Sequence, residues 1–187
     1  REAMVARRLL EAIHCRRLVW LRYHTRKDTW VTGCFRPVLL EFSRKNNRFQ
    51  GYFQSCRTGG VLAMNLCGIQ DLALKEKHFE WEEAREALER YWEGNRKSVE
   101  VEFFNVRNLA DRLLTELSPW EKRCVYDKSS GKYRLTLFYQ ANDENELVIR
   151  LMGYGPDLRV ADPEHSICRA MRERIRRQME ILERQRK

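Results

Sequence analysis

Residues 49–66 have the sequence FQGYFQSCRTGGVLAMNL, in which two runs of strand-forming residues flank the turn Arg57-Thr58-Gly59-Gly60. Consecutive glycines favour a tight hairpin turn, so this stretch predicts two paired strands. Outward from the hairpin, residues 19–24, 29–42 and 69–74 are also predicted to form strands, and 43–48 a polar turn. Short strands with few residues between them close on themselves, which favours a small, bent β-barrel over residues 16–78.

The flanking segments have helical periodicity. Apolar residues recur at helical spacing in residues 1–15, which predicts an N-terminal linker helix, and residues 79–95 form an acidic segment predicted to be a connecting helix. Gly94-Asn95 ends that segment and is the predicted domain boundary. Over residues 96–187 the predicted order is β-α-β-β-α-β-α, a compact α+β sandwich related to the split βαβ plan. The predicted fold class is therefore α+β.

The charge pattern indicates an anionic partner. The chain has 187 residues and a net charge of +9. Residues 1–57 carry 13 Lys and Arg against 4 Asp and Glu, and residues 163–187 carry 8 against 4. Such a field attracts phosphates and nucleic acid, although a solvated basic surface would have the same composition.

Other classes of protein are disfavoured by what the sequence lacks. It has no apolar run long enough to span a bilayer and no signal peptide, so we expect a cytoplasmic protein without a membrane partner. The six cysteines are scattered without zinc or redox spacing, which predicts reduced, mostly buried thiols and no metal site or cofactor. We find no Gly-rich phosphate loop and no catalytic triad, and therefore expect no catalytic residues and no enzyme activity.

Two stretches carry a resemblance to a known family. The first comprises AIHCRRLVWLRY (12–23), RPVLLEFSRKNNRFQGYFQSCR (36–57) and MNLCGIQDL (64–72), and it resembles the WYL domain, a five-stranded Sm-like (SH3-like) barrel of bacterial regulators. The second comprises VEVEFFNVRNLADRLL (99–114) and YRLTLFYQANDENELVIRLMGYGPDLRVADPE (133–164), and it resembles the WCX extension that follows such domains. Together they cover nearly the whole chain.

The resemblance implies the ligand-sensing and dimerisation module of a WYL-type transcriptional regulator. It implies a homodimer, an anionic effector (a nucleotide or single-stranded nucleic acid) on the barrel, and duplex DNA bound by a helix-turn-helix domain. We expect that domain to be absent from this sequence, which begins with Arg1 and resembles a fragment.

The sequence departs from the family pattern at two places. The Trp-Tyr-Leu triplet aligns with Phe49-Gln50-Gly51, or near Tyr52-Phe53 in a later register, and is absent in both. Gly68 precedes Ile69 where the family often has an arginine. Two alternatives therefore stay open: a stand-alone accessory protein that binds single-stranded RNA or DNA, and a structural dimerisation module with a vestigial pocket.

Several residues are candidates for ligand contact. Guanidinium groups on neighbouring strands can grip a phosphate, aromatic rings can stack on bases, and polar side chains can hydrogen-bond to a ligand. The predicted ligand-binding residues are Tyr23, His24, Arg36, Arg48, Phe49, Tyr52, Gln54, Arg57 and Asn65. On the last helix, Arg169, Arg172 and Arg176 are predicted to contact nucleic acid or to lie at an interface; a solvated basic face is the alternative.

Overall fold

The computed structural model describes residues 2–25, 28–43 and 47–185. The chain forms two compact units, Arg1–Gly94 and Asn95–Lys187, each with its own buried core. The protein is a mixed α+β structure with two antiparallel sheets and an N-terminal helix. No described helix combines the length and the apolar character needed to cross a membrane.

Among its described residues, the first unit contains one sheet, two α-helices and one 3-10 turn. Its sheet has the order β4-β3-β2-β1-β5, and every neighbouring pair is antiparallel. The predicted strands and hairpin are confirmed, while the tip of the predicted turn, residues 44–46, lies outside the described residues. The elements are α1 Glu2–His14, β1 Arg17–His24, β2 Trp30–Ser43, β3 Arg48–Ser55, β4 Val61–Asn65, β5 Ile69–His78 and α2 Trp81–Asn95.

The expected closed barrel is corrected to an open five-stranded sheet. Among the described residues no ladder joins the two edge strands, β4 and β5. A single 3-10 turn, Leu66–Gly68, connects β4 to β5. The two strands are consecutive in the chain but do not pair with each other in the sheet. All five strands nevertheless place side chains in one buried cluster, which also includes Leu9 and Ala12 of α1.

Helix α2 covers the opposite side of the sheet. Its Ala84 and Leu88 are buried against Val38 of β2 and Tyr52 of β3. Tyr91 and Trp92 of the same helix also pack on this second cluster. The strands β2 and β3 are therefore buried on both faces along part of their length, which explains why their sequences are apolar on both sides.

The second unit has the split βαβ arrangement expected from the sequence. Its sheet has the order β7-β8-β6-β9 and is antiparallel throughout, so each helical crossover joins strands that are separated by one other strand. The elements are β6 Arg96–Phe103, α3 Leu109–Glu116, β7 Glu121–Asp127, β8 Lys132–Gln140, α4 Glu144–Met152, β9 Leu158–Val160 and α5 Ser166–Gln185.

Candidate functional site

A cleft opens in the first unit because β2 changes its partner. Residues 30–35 of β2 pair with β1, whereas residues 35–43 pair with β3. After Cys56, whose amide still donates to the Cys34 carbonyl, the chain enters the β3–β4 turn, and a cleft of about 670 Å³ lies between the first half of β2 and this turn. Its lining consists of Val31, Thr32, Gly33, Cys34, Phe35, Ser55, Cys56, Arg57, Thr58, Gly60, Val61 and Leu62.

The β3–β4 turn that forms one wall of the cleft is held by its own hydrogen bonds. Ser55 accepts a bond from the Gly59 amide at 2.8 Å, and its amide donates to the Gly60 carbonyl at 2.9 Å. The Ser55 hydroxyl accepts from the amides of Arg57 and Thr58, each at 3.3 Å. Gly59 has a φ of 71°, a conformation that favours glycine. The turn thereby presents the exposed Arg57 side chain at the cleft.

Arg36 and Gln54 form a hydrogen-bonded network next to this turn. Arg36 Nη1 donates to Gln54 Oε1 at 2.9 Å and to Glu83 Oε1 of α2 at 2.6 Å. Gln54, which is buried, donates through Nε2 to the Gly59 carbonyl at 3.2 Å. Both Arg36 bonds use one nitrogen of a group that has five N–H donors. The network thus connects the cleft wall to α2 through a guanidinium whose charge is balanced by Glu83.

The cleft also contains two thiols that the sequence did not bring together. The Cys56 amide donates to the Cys34 carbonyl at 3.1 Å, so the two residues extend the β2–β3 register beyond Phe35 and Ser55. Burial raises the pKa of the Cys56 thiol, and the nearby Arg36 charge opposes that rise. All six cysteines are free, three of them exposed and three half-buried, which corrects the expectation of mostly buried thiols.

Two predicted stacking residues are buried in the structure. Tyr23 is 9% exposed and belongs to the core beneath the sheet. Tyr52 is 8% exposed and lies under α2, where its ring is edge-on to Tyr91 and Trp92. Its hydroxyl donates to Glu41 at 2.9 Å. Neither ring is placed to stack on a base, because core packing covers the first and α2 covers the second.

His24 and Asn65 lie away from the cleft lining. His24 shares a 2.8 Å contact with Asp28 through Nε2 and packs 4.6 Å from the Trp30 ring, at the β1–β2 connection. Asn65 ends β4 and pairs with Gln50 of β3. Of the nine predicted ligand residues, Arg57 alone lines the cleft. Arg36 and Gln54 bond to each other, and Gln54 also bonds to Gly59 of the turn that carries Arg57.

Phe49 and Phe42 form an exposed aromatic pair at the other end of the β2–β3 hairpin, where Arg48 is the next residue of β3. The Phe49 ring meets Phe42 edge to face, with centroids 5.2 Å apart, and the two are 41% and 49% exposed. Arg48 is exposed and pairs with Ser43. We call Phe42, Phe49 and Arg48 the aromatic hairpin. Phe42 was not predicted as a ligand-binding residue. Its position beside the polar turn, next to the charged Glu41, could have indicated that its ring is exposed.

The predicted arginines of α5 lie on the second unit. Arg169, Arg172 and Arg176 are exposed. Arg176 forms an ion pair with Glu173 at 2.6 Å, and Arg177 bonds to the same carboxylate at 2.8 Å. These pairs are typical of a solvated helix face. Among the residues that the structure describes, no group of three or more His, Cys, Asp and Glu side chains is placed to hold a metal ion.

Comparisons with known proteins concern the fold. No protein-family model and no curated protein matches the chain. A solved CRISPR Cas-related protein is similar over 98% of this chain and 52% of its own, with a TM-score of 0.61 and 9% identity. Proteasome accessory factor B/C of Arthrobacter aurescens matches 92% of this chain and 26% of its own, with 17% identity and a TM-score of 0.40, too low to carry an argument. The chain therefore spans about half the length of the CRISPR Cas-related protein, whose fold it shares.

Proposed function

We propose that this chain is the effector-binding part of a WYL-type transcriptional regulator and that an anionic effector, a nucleotide or single-stranded nucleic acid, binds in the cleft between β2 and the β3–β4 turn. The observation that carries the proposal is the exposed Arg57 in the cleft lining, with the charge of Arg36 close to Cys56 of the same lining. Two guanidinium groups beside one concave surface are suited to a phosphate, which they bind bidentately.

An effector at this position would compete with α2. A phosphate that accepts hydrogen bonds from Arg36 takes the role that Glu83 now has. Binding would then weaken the Arg36–Glu83 contact between the sheet and α2, and α2 would shift relative to the sheet. A ligand shifts such an equilibrium only to the extent that it binds the two arrangements differently, so the competition with Glu83 supplies the required difference.

We further propose that the cleft performs no chemistry. Its candidate nucleophile, Cys56, has a raised pKa, which lowers the fraction of reactive thiolate. The neighbouring groups, Arg36 and Gln54, bind and orient but do not accept a proton at neutral pH. The cleft is therefore suited to recognition.

Fluorescence anisotropy tests the proposal. A labelled mixed-sequence single-stranded oligonucleotide and a labelled nucleoside triphosphate are each titrated with the chain at low and high salt. We expect Arg57→Glu to abolish binding, because it reverses the exposed charge at the cleft. Arg7→Glu on α1 is the matched control, since it reverses an exposed charge away from the cleft lining.

The salt dependence separates the two ligand classes. A contact with several phosphates weakens steeply with ionic strength, and a single nucleotide much less. Equal losses in Arg57→Glu and Arg7→Glu would show that binding follows overall charge and not the cleft, which would refute the proposal.

A second candidate function rests on the aromatic hairpin. Exposed rings beside a cation are the usual platform for single-stranded nucleic acid, because every base has a face on which a ring can stack. A stand-alone accessory protein would use this surface instead of the cleft. Phe49→Ala would then weaken oligonucleotide binding, whereas Ile149→Ala, which removes an apolar side chain that is 48% exposed in the second unit, would not.

A further inference from the structure

Cys34 and Cys56 lie directly opposite each other at the end of the β2–β3 ladder. Phe35 pairs with Ser55, and the Cys56 amide donates to the Cys34 carbonyl at 3.1 Å, so the register continues one residue past the end of β3. Residues that oppose each other across antiparallel strands direct their side chains to the same face of the sheet. Both cysteines line the cleft, so their thiols share one open surface.

The backbone at this position has the spacing that a disulfide needs. In an antiparallel ladder, opposed residues whose main-chain groups bond to each other have Cα atoms about 5.5 Å apart. The Cα atoms of two residues joined by a disulfide are about 4.4–6.8 Å apart. Cys56 follows the last residue of β3 and belongs to the turn, so a small adjustment there leaves the ladder intact. The two Sγ atoms can therefore bond without a rearrangement of either strand.

The electrostatic surroundings also indicate that the two thiols are neighbours. Burial raises the pKa of Cys56, the Arg36 charge opposes that rise, and the Cys34 thiol adds to it. Burial alone raises the pKa of Cys124 in the second unit. Because charge interactions weaken with separation, a thiol shifts the pKa of another thiol only when the two are close. Cys56 thus has a thiol neighbour that Cys124 lacks.

We propose that Cys34 and Cys56 form a reversible disulfide by exchange with a low-molecular-weight disulfide that carries carboxylates, the oxidised form of a thiol peptide. Cys56 is exposed, so such an oxidant reaches it first, and the exposed Arg57 beside it attracts carboxylates. Cys34 is half-buried and directly opposite, which suits it to the second step of the exchange.

The exchange consists of two thiolate attacks. The Cys56 thiol loses its proton to water and attacks one sulfur of the oxidant, whose S–S bond breaks and whose other half leaves as a thiolate. The Cys34 thiolate then attacks Sγ of Cys56, and the half that was bound there leaves as a second thiolate. The two cysteines together lose two electrons and two protons, and the oxidant takes these up and becomes two thiols.

The disulfide would join the β3–β4 turn to β2 through a covalent bond. It would restrain Cys56, the residue next to Arg57, and remove both thiol hydrogens from the cleft lining. The oxidation state of the surrounding thiol pool would thereby alter one wall of the cleft. This inference goes beyond the proposed function and needs no effector.

A titration with glutathione and glutathione disulfide tests the pair. The full chain is equilibrated at a series of ratios, quenched with acid and alkylated; equilibrium is the readout because the pKa of Cys56, raised by burial, slows thiolate attack. An isolated thiol needs a high proportion of glutathione disulfide, whereas an opposed pair closes earlier because its second step is intramolecular. We expect two of the six thiols to be lost at a ratio about tenfold lower than the others, with a mass decrease of about 2 Da.

Trypsin separates the two cysteines, so the bond can be located. Cleavage produces peptides 28–44 and 49–57, each with a single cysteine, because the bond between Arg36 and Pro37 resists the protease. We expect mass spectrometry to find these two peptides joined in the oxidised chain and separate after reduction.

Two serine variants complete the test. In Cys34→Ser, Cys56 should keep glutathione as a mixed disulfide, with a mass gain of about 305 Da. Cys67→Ser is the matched control, since it removes an exposed thiol outside the cleft lining, and its disulfide should still form. Circular dichroism checks that both variants fold.

Three results would overturn the proposal. These are a wild-type chain that keeps all six thiols until the exposed ones react together, glutathione adducts without the bond between peptides 28–44 and 49–57, and identical products from the two serine variants. No effector is present in these experiments, so their outcome is independent of whether the cleft binds an anion.

Discussion

Arg36 on β2 and Glu83 on α2 form a 2.6 Å ion pair, and their side chains are 24% and 57% exposed. The pair joins the face of the sheet beside the cleft to the helix that covers it. The Arg36 guanidinium is the less exposed partner, so water screens its charge little and the Glu83 carboxylate balances it. An anion that approaches Arg36 therefore meets a carboxylate already in place.

Glu83→Gln is expected to raise the affinity of the cleft for a nucleotide or oligonucleotide. The substitution removes the competing negative charge and leaves an amide that can still accept a hydrogen bond. Because Glu83 is largely exposed, the loss of stability should stay below about 1 kcal/mol. Anisotropy titration and urea denaturation measure the two effects. Glu86→Gln, one turn away and paired with Arg90, is the control; an equal gain there would point to net charge instead.

Tyr52→Phe is expected to lower stability without changing ligand binding. Burial, together with the Glu41 carboxylate, raises the pKa of Tyr52 above its ordinary value, so the hydroxyl remains a hydrogen-bond donor at neutral pH. Losing that bond should cost about 1 kcal/mol of unfolding free energy in urea denaturation. A large loss of oligonucleotide affinity in the folded variant would instead show that the hydroxyl contacts the ligand.

Gly68→Ala is expected to destabilise the first unit by about 1–3 kcal/mol, the usual cost of overpacking. A Cβ at Gly68 would lie 2.5 Å from Cε2 of Tyr23 and 2.8 Å from the His24 carbonyl oxygen, so ring and backbone would both have to shift. Gly94→Ala is the control, because nothing lies within 4 Å of its Cβ. Thermal unfolding compares the two. The arginine that the family resemblance implies before Ile69 would meet the same obstruction.

The carboxylate of Asp127 is expected to add a pH dependence to stability. Hydrogen bonds from Ser129 and Ser130 lower its pKa to about 2. Since the folded pKa lies below the ordinary unfolded value of about 3.9, the contribution is fully present above that pH and is lost as the pH falls towards about 2. NMR titration of the Asp127 carboxyl carbon measures the pKa, and Ser129→Ala should return it towards the ordinary value. An unchanged pKa in that variant would contradict this origin.

Local patterns predicted most of the fold. Alternation placed Val19, Leu21 and Tyr23 on one face of β1, and all three are buried. Helical spacing predicted the buried face of α3, where Leu109 and Leu113 lie in the core. These predictions succeed because one buried face leaves a clear period in the sequence.

Packing between distant elements was not predictable in the same way. Tyr52 was predicted to contact a ligand, yet it is buried like its neighbour Phe53, because α2 covers the second face of the sheet. The pairing of Arg36 with Glu83 depends on the same helix, 47 residues away in sequence. Cys34 and Cys56 are neighbours because of the register between β2 and β3, which includes a bulge between Pro37 and Leu39. Each of these features is a contact between residues that are far apart in the sequence, so the local pattern of one segment cannot predict it.

The change of partner along β2 also determines which atoms face the cleft. The Cys34 carbonyl accepts the Cys56 amide on the side away from β1, and backbone groups two residues apart in a strand point the same way. The amide and carbonyl of Thr32 are therefore directed into the cleft. A ligand held by these main-chain atoms would keep its contacts when the side chains are truncated to alanine. An amide-to-ester replacement at Thr32, which deletes only the N–H, would reveal that part of the recognition.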